Sequence, residues 1–382
     1  MLLTTQQAVA DSAGTLAEHF PMHHLVERYG SWQTELEAER VGREFGVQLV
    51  ASSSEHDVLR AARLRERLGL PGQHSESAIA FRDKFEMKQV AERAGIGVPA
   101  FAQVNSTKDL LNFVATHGYP VVVKPRFGAG AGGVSILQDD GDLTAFLAAE
   151  TGAEPPYLPG QWMVESFVDG DFFHVDGIMS EGRIVHGWPS QYNGGLAEQV
   201  RDEGCLSSVQ LAPEDERRSV LMDLTSRVIG TLPGSVIPLA FHLEAWLDRS
   251  GRPVLCEIAS RAGGGRIAET YERTFGVQLA REGLRAQCGS RLSLSTQLPA
   301  PAAQSGWVLF PLRQGVFWPP DDSCPVPGAE VSLHLAAGAT SGGMTLAGDM
   351  AADALVFGDT AAEVRDRVEA VTQWWLGNVG WK

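Results

Sequence analysis

Cysteine is scarce in this chain of 382 residues: Cys205, Cys256, Cys288 and Cys324 lie far apart, without a CxxC or Cys/His spacing. That rules out a zinc-ligand array and a disulfide framework as the basis of the fold. No apolar run is long enough to span a bilayer. The start, MLLTTQQAVADSAG, lacks the basic residues and the long apolar core of a signal peptide, so a reducing cytoplasm is the expected location. Positive charge is also in deficit, with 31 Lys and Arg against 47 Asp and Glu and a net charge of −16. Nucleic acid and anionic membrane surfaces are therefore disfavoured as partners. A polyanionic substrate would have to be held by local basic groups or by metal ions. No Ser-His-Asp or Cys-His nucleophile set is legible, and neither a fixed-period repeat nor a low-complexity tract is present.

What is there reads as a soluble globular protein, 44% hydrophobic and 20% charged. Its length implies roughly two to four domains. Periodicity and breakers predict a strand at 46–51, helices at 56–70, 81–94 and 107–117, strands at 120–124 and 134–137, and a short helix at 142–149. A Pro/Gly-rich linker at 151–160 precedes a strand at 162–167 and a hairpin at 174–179 and 183–188. A long helix follows Pro213, a second hairpin is expected at 241–248 and 253–259, and a strand-rich region after Ser305 ends in a helix at 360–376.

Three stretches carry chemistry. In VVVKPRFGAGAGGVSIL, residues 121–137, Gly128, Gly130, Gly132 and Gly133 spell GxGxxG. A dinucleotide fingerprint needs a helix after the glycines, but here strand follows. The order of a P-loop is also missing. Strand, glycine loop, strand makes a hairpin lid able to lay backbone N–H groups on phosphate oxygens, with Lys124 at its root as a cation. The alternative is a mobile hairpin tip with a snorkelling lysine. In FHLEAWLDRSGRPVLCEIASR, with the turn centred between Ser250 and Gly251, residues whose numbers sum to 501 face each other. Glu244 and Glu257 then oppose directly, on the face of His242 and Ala259, among apolar neighbours. Opposed like charges are destabilising. Either a divalent cation resolves them, or Arg249 or Arg252 acts as counter-ion on a solvated face. In RAGGGR, Arg261 and Arg266 flank three glycines, which suits a bidentate grip on carboxylate or phosphate; a plain turn before a helix would explain the glycines but not both arginines. His242 is either a general base for an amine or a hydrogen-bonded sheet histidine. Trp188, Tyr192 and Asn193 either line an amine pocket or pack.

The order of these parts resembles the ATP-grasp superfamily, by motif from Phe81 to Glu269 and by layout in the flanks. The resemblance implies an α/β ATP-grasp fold: an N-terminal α/β domain (1–97), a small α+β lid subdomain (98–168), a larger catalytic core (169–300) and a C-terminal β-rich cap (301–382). It implies that Lys84, opening a helix before GIGVP, and Lys124 hold ATP phosphates under the glycine lid. It implies that VESFV is the adenine hinge, with Glu165 near the base and the backbone of Phe167 and Val168 pairing with it. Glu244 and Glu257 would bind Mg²⁺, and Arg261 would meet the transferred phosphoryl group. Two departures stand out. Phe172 fills a slot that is often acidic for the ribose hydroxyls, leaving Asp171 or His174 to substitute. The usual ExN metal pair reads Glu257-Ile258-Ala259, so the ion count is one or two. HLE with EIAxR is similar to the branch that ligates amino acids, and FFHVDG and WPSQY resemble standalone bacterial carboxylate–amine ligases. The implied activity is ADP-forming ligation of a small carboxylate to an amine through an acyl phosphate, with the carboxylate near Arg261 and Arg266. An inherited nucleotide-binding fold without turnover, or an acyl phosphate captured by a non-amine acceptor, are the alternatives. A homodimer is the expected assembly.

Overall fold

The structure, a computed structural model, describes residues 1–382 except 13–14, 21, 151–159, 195–203, 295–300, 302, 345 and 347. Most of the expected linker at 151–160 lies outside the described residues. Two short strands, β1 (Leu2–Thr4) and β2 (His23–Leu25), pair in parallel near the start. The helices Trp32–Glu44 and Val58–Leu68 follow. The strand expected at 46–51 does not form. Arg65 donates to Val50 O, and the Gln287 side chain both accepts from Ser52 N and donates to Ser52 O. Side chains thus satisfy backbone groups that a neighbouring strand would otherwise bond.

The expected lid subdomain, 98–168, contains a four-stranded antiparallel sheet: β3 (Phe101–Val104), β4 (Val121–Pro125), β5 (Ser135–Leu137) and β6 (Trp162–Ser166), in the order β3-β6-β4-β5. The helices Thr107–His117 and Asp140–Glu150 accompany it, and the core holds Leu110, Phe113, Val121, Val123 and Val164.

The remaining strands are β7 (Gly170–Ser180), β8 (Arg183–Asn193), β9 (Leu206–Gln210), β10 (Leu239–Asp248), β11 (Pro253–Ala259), β12 (Gln304–Pro311), β13 (Gln314–Trp318), β14 (Ala329–Leu333), β15 (Thr340–Gly342), β16 (Met350–Gly358) and β17 (Gly380–Trp381). Eight of them form one sheet in the order β11-β10-β7-β8-β9-β12-β16-β14. Strands of the expected C-terminal cap continue this sheet, because β12 pairs with β9. β7 starts at Gly170, earlier than its sequence suggests. A central strand is buried on both faces, so polar alternation does not mark its ends.

Alternation along β7 and β10 sorts the two faces. Phe173, Val175, Phe241, Leu243 and Ala245 share a core with Leu221, Leu224 and Val228 of the helix Glu216–Thr231. Phe172, His174, Asp176, His242, Glu244 and Trp246 lie on the opposite face. Beyond β9, the helix Ala361–Asn378 packs Trp375 on Phe310, ring centroids 4.4 Å apart. No helix among the described residues is long and apolar enough to cross a membrane.

Candidate active site

A cavity of about 510 Å³ lies between the lid sheet and the site face of the central sheet. The helix Lys84–Arg93 brings Lys84 to it, with Lys88 buried just behind. Asp83 starts this helix, its Oδ1 accepting from Phe85 N and Glu86 N. Its carboxylate also takes Arg126 Nε at 2.9 Å and Nη2 at 2.5 Å, so one side chain caps the helix and clamps the root of the lid. Lys84 Nζ lies 2.8 Å from Gly128 O and 2.8 Å from Glu257 Oε2. Lys124 Nζ lies 2.5 Å from Glu165 Oε1. Burial alone would depress the Lys124 ammonium, but the Glu165 carboxylate outweighs it and raises the group above its ordinary range. Lys88, one turn after Lys84, is fully buried and donates to Cys256 O at 2.7 Å and Leu255 O at 3.2 Å, with Glu165 Oε2 at 3.3 Å. Burial lowers its pKa. The sequence does not reveal Lys88, because a lysine on a charged helix reads as solvated; its i,i+4 spacing from Lys84 is the one available signal.

Gly128, Gly130 and Gly132 line the cavity; Gly133 does not. Gly133, at φ +74°, packs on Pro125, where an added Cβ would lie 2.9 Å from the ring. A Cβ on Gly132 would lie 2.8 Å from Leu346, so the loop tip rests against the C-terminal segment. Glu165, Phe167 and Val168 line the hinge end, and Asp171 lines its mouth.

The carboxylate pair faces across the hairpin as expected: Glu244 opposes Glu257 and His242 opposes Ala259. Toward the turn the register slips by one, with Ala245 opposite Leu255. The bulge this makes at Cys256 lets Cys256 and Glu257 both line the cavity. Neither suggested arginine is the counter-ion: Arg249 pairs with Asp169 and Arg252 with Asp248. Burial would raise the Glu257 pKa, but Lys84 and then Lys124 outweigh it and hold it at about 2. Glu244 Oε1 accepts from Tyr192 Oη at 3.1 Å and His242 Nε2 at 3.3 Å. His242 Nδ1 in turn lies 2.8 Å from Asp176 Oδ1. Burial alone would lower His242, yet Asp176 foremost, with Glu244 behind it, raises it to about 10. Two opposed carboxylates offering hard oxygens to a cavity that also holds phosphate-sized cation sites fit one hard divalent ion.

Besides Gly133, two more expected residues are elsewhere. His174 is buried off the cavity: its Nδ1 donates to Asp176 Oδ2, its Nε2 lies 2.7 Å from Ser208 Oγ, and Tyr192 covers it with ring centroids 4.5 Å apart. Of the two residues expected at the ribose, Asp171 lines the cavity and His174 does not. Arg266 does not line the cavity; Asp353 of β16 captures its guanidinium, with Glu269 3.2 Å away. Arg261 does line it, paired with Glu55 and with its own neighbour Ala262 O at 2.8 Å. Trp188 packs, its Nε1 donating to Leu211 O at 3.0 Å, and Asn193 bonds Ser207 Oγ; Tyr192 alone of that trio reaches the cavity. His174, Asp176 and His242 place donor atoms within 4.8 Å of one another, but hydrogen bonds already engage them. A Cβ on Gly263 would sit 2.7 Å from His242 Nδ1, so that cluster is closely packed.

Residues 83–175, which carry the first lysine, the lid, the hinge and the start of β7, match the family model "Carbamoyl-phosphate synthase L chain, ATP binding domain". The crystal structure of an L-amino acid ligase from Bacillus licheniformis superposes with a TM-score of 0.72 at 19% identity, covering 94% of this chain and 87% of that one. The fold is ATP-grasp. The 2-oxoglutarate carboxylase biotin carboxylase domain of Hydrogenobacter thermophilus, solved with MgADP, has the same ATP-grasp architecture, with a TM-score of 0.67 at 16% identity over 100% of this chain and 84% of that one. By sequence, the chain is 26% identical over 236 residues to the L-arginine-specific L-amino acid ligase of Bacillus subtilis, covering 60% of this chain and 55% of that protein. It is 21% identical over 264 residues to the alanine–anticapsin ligase of Bacillus subtilis strain 168, covering 63% and 54%. The chain spans about half the length of the curated relatives it matches.

Proposed function

We propose that this ATP-grasp chain is an ADP-forming carboxylate–amine ligase acting on amino-acid-like small molecules. The observation that carries the reading is convergence: Lys84, Lys124, Glu244, Glu257 and Arg261 all line one cavity beneath a glycine lid. This set suits phosphoryl transfer, which asks a protein for positioning and charge neutralisation rather than for a nucleophile. ATP would lie with its base at Glu165, Phe167 and Val168, its ribose toward Asp171 and its phosphates under Gly128, Gly130 and Gly132. Lys84 and Lys124 would then trade their carboxylate partners for phosphate oxygens. Glu244 and Glu257 would hold Mg²⁺, which when bound neutralises charge on the phosphates. A substrate carboxylate oxygen attacks the γ-phosphorus, the bond to the β-phosphate oxygen breaks, and ADP leaves an acyl phosphate. The amine nitrogen adds to that carbonyl, loses a proton and expels phosphate, forming the amide. Arg261 would stabilise the acyl phosphate, and closure of the lid would protect it from water. His242, bonded on both sides to carboxylates, is kept protonated and so holds Glu244 rather than acting as a base.

The test is a phosphate-release screen of amino acids and short carboxylates with MgATP, singly and in pairs. Release that requires a pair, with an amide of the summed mass less water, supports the ligase. Full release from a carboxylate alone, or with bicarbonate in place of the amine, would overturn it.

A further inference from the structure

One side of the cavity is an apolar wall. It begins at the carboxylate pair, because Tyr192 Oη donates to Glu244 Oε1. The Tyr192 ring stands edge-on to Trp307, centroids 6.1 Å apart at 82°. Trp307 lies over Gly265, where an added Cβ would meet its ring at 3.3 Å; at φ +61° a side chain would be strained there as well. Leu309 follows two residues along β12, on the same face, and pairs in register with Leu206 of β9. Tyr192, Leu206, Trp307 and Leu309 form one apolar cluster, and all four border the cavity.

Resting on the ligase reading above, we propose that this wall is the subsite for the side chain of the carboxylate substrate, and that this substrate is an amino acid with a bulky apolar side chain. The reacting carboxyl has to lie between the γ-phosphate and Arg261, beside Glu244. Its substituent then points away from the phosphates, onto Tyr192, Trp307 and Leu309. An ionised side chain set there would lose its water with no partner on the wall. A branched aliphatic or aromatic one would replace water against carbon. Trp307, held over Gly265, sets the depth.

The test measures phosphate release with MgATP and one fixed amine, varying the carboxylate donor through alanine, valine, leucine, methionine, phenylalanine, aspartate, lysine and arginine. Product mass spectra identify which partner was acylated. The expected result is a rise in kcat/KM of about tenfold or more per methylene from alanine to leucine, with aspartate, lysine and arginine below alanine. Trp307→Phe should move the optimum toward larger side chains, and Leu309→Ala, at the other end of the wall, should do the same. MgADP calorimetry on each variant establishes that it is folded. A charged donor preferred over leucine, or an unchanged preference in both folded variants, overturns the subsite while leaving the ligase standing. No release from any pair by a wild type that binds MgADP overturns the ligase reading, and the subsite falls with it.

Discussion

Glu244 takes Tyr192 Oη and His242 Nε2 on the same oxygen, Oε1; if Glu244 holds Mg²⁺ as proposed, Oε2 would be its ligand atom. Asp176 keeps His242 in the form that donates from both nitrogens, and sits between His242 and His174. Outer groups that orient a metal-binding carboxylate commonly matter 10–100-fold. Asp176→Asn is therefore expected to raise the Mg²⁺ concentration needed for half-maximal activity by about that factor, with KM for the carboxylate little changed. Manganese binding to the ADP complex, followed by electron paramagnetic resonance, should weaken in parallel; unchanged manganese affinity would sink the positioning role. A second residue bears on stability. His186 is packed by Tyr271 and Phe275, and burial lowers its pKa from 6.5 to about 4. The folded state thus favours the neutral ring, and the unfolded chain binds the extra proton below 6.5. Its stability contribution is present above 6.5 and lost as pH falls through about 4. Denaturant unfolding across that window should show stability falling with pH, and a shallower fall in His186→Gln.

At the scale of elements, the helix Lys84–Arg93 and the lid are joined through Asp83. Asp83→Ala removes an N-cap, expected to cost about 1–2 kcal/mol, and leaves Arg126 at the lid root with Gly160 O and the more distant Glu86. Asp83→Asn keeps a cap acceptor but weakens the grip on Arg126. A thermal melt should separate the two, with the alanine variant losing more. Both should raise KM for ATP several-fold, and an unchanged KM would mean that the clamp does not serve the lid. The same elements indicate how far sequence reaches. Strand, loop, strand was legible around the glycines because β-branched runs flank them. The opposition of Glu244 and Glu257 was legible for a less secure reason. The turn pairs Asp248 with Arg252, one residue off the assumed centre, and the bulge at Cys256 restores the register before the glutamates are reached. Lys88 and Asp176 were not legible as site residues, because their roles depend on partners dozens of residues away; Tyr192 was legible as a pocket candidate, but its bond to Glu244 was not. Arg266 was misplaced for the same reason: its partner, Asp353, is on a strand that periodicity alone does not put beside it.

For the molecule as a whole, a net charge of −16 coexists with a cavity bordered by Lys84, Lys124 and Arg261, with Lys88 just behind. Charge is sorted locally, so this cavity can attract a polyanion despite the overall negative charge. The C-terminal strands belong to this arrangement. β12 supplies Trp307 and Leu309, while β16 supplies Asp353, a buried carboxylate that holds Arg266 on one oxygen and His334 on the other. Arg266 closes the glycine loop that begins at Arg261, so Asp353 ties the end of that loop to the far half of the sheet. Asp353→Ala would leave Arg266 with Glu269 alone, a loss of about 2 kcal/mol or more. If the tie merely stabilises the fold, the melting temperature falls and the kinetic constants of the remaining folded enzyme hold. If it sets the loop, KM for the carboxylate rises while KM for ATP stays, because Lys84, Lys124 and the hinge do not touch Asp353. The second outcome is expected, and equal rises in both KM values would instead indicate a general loosening of the domain.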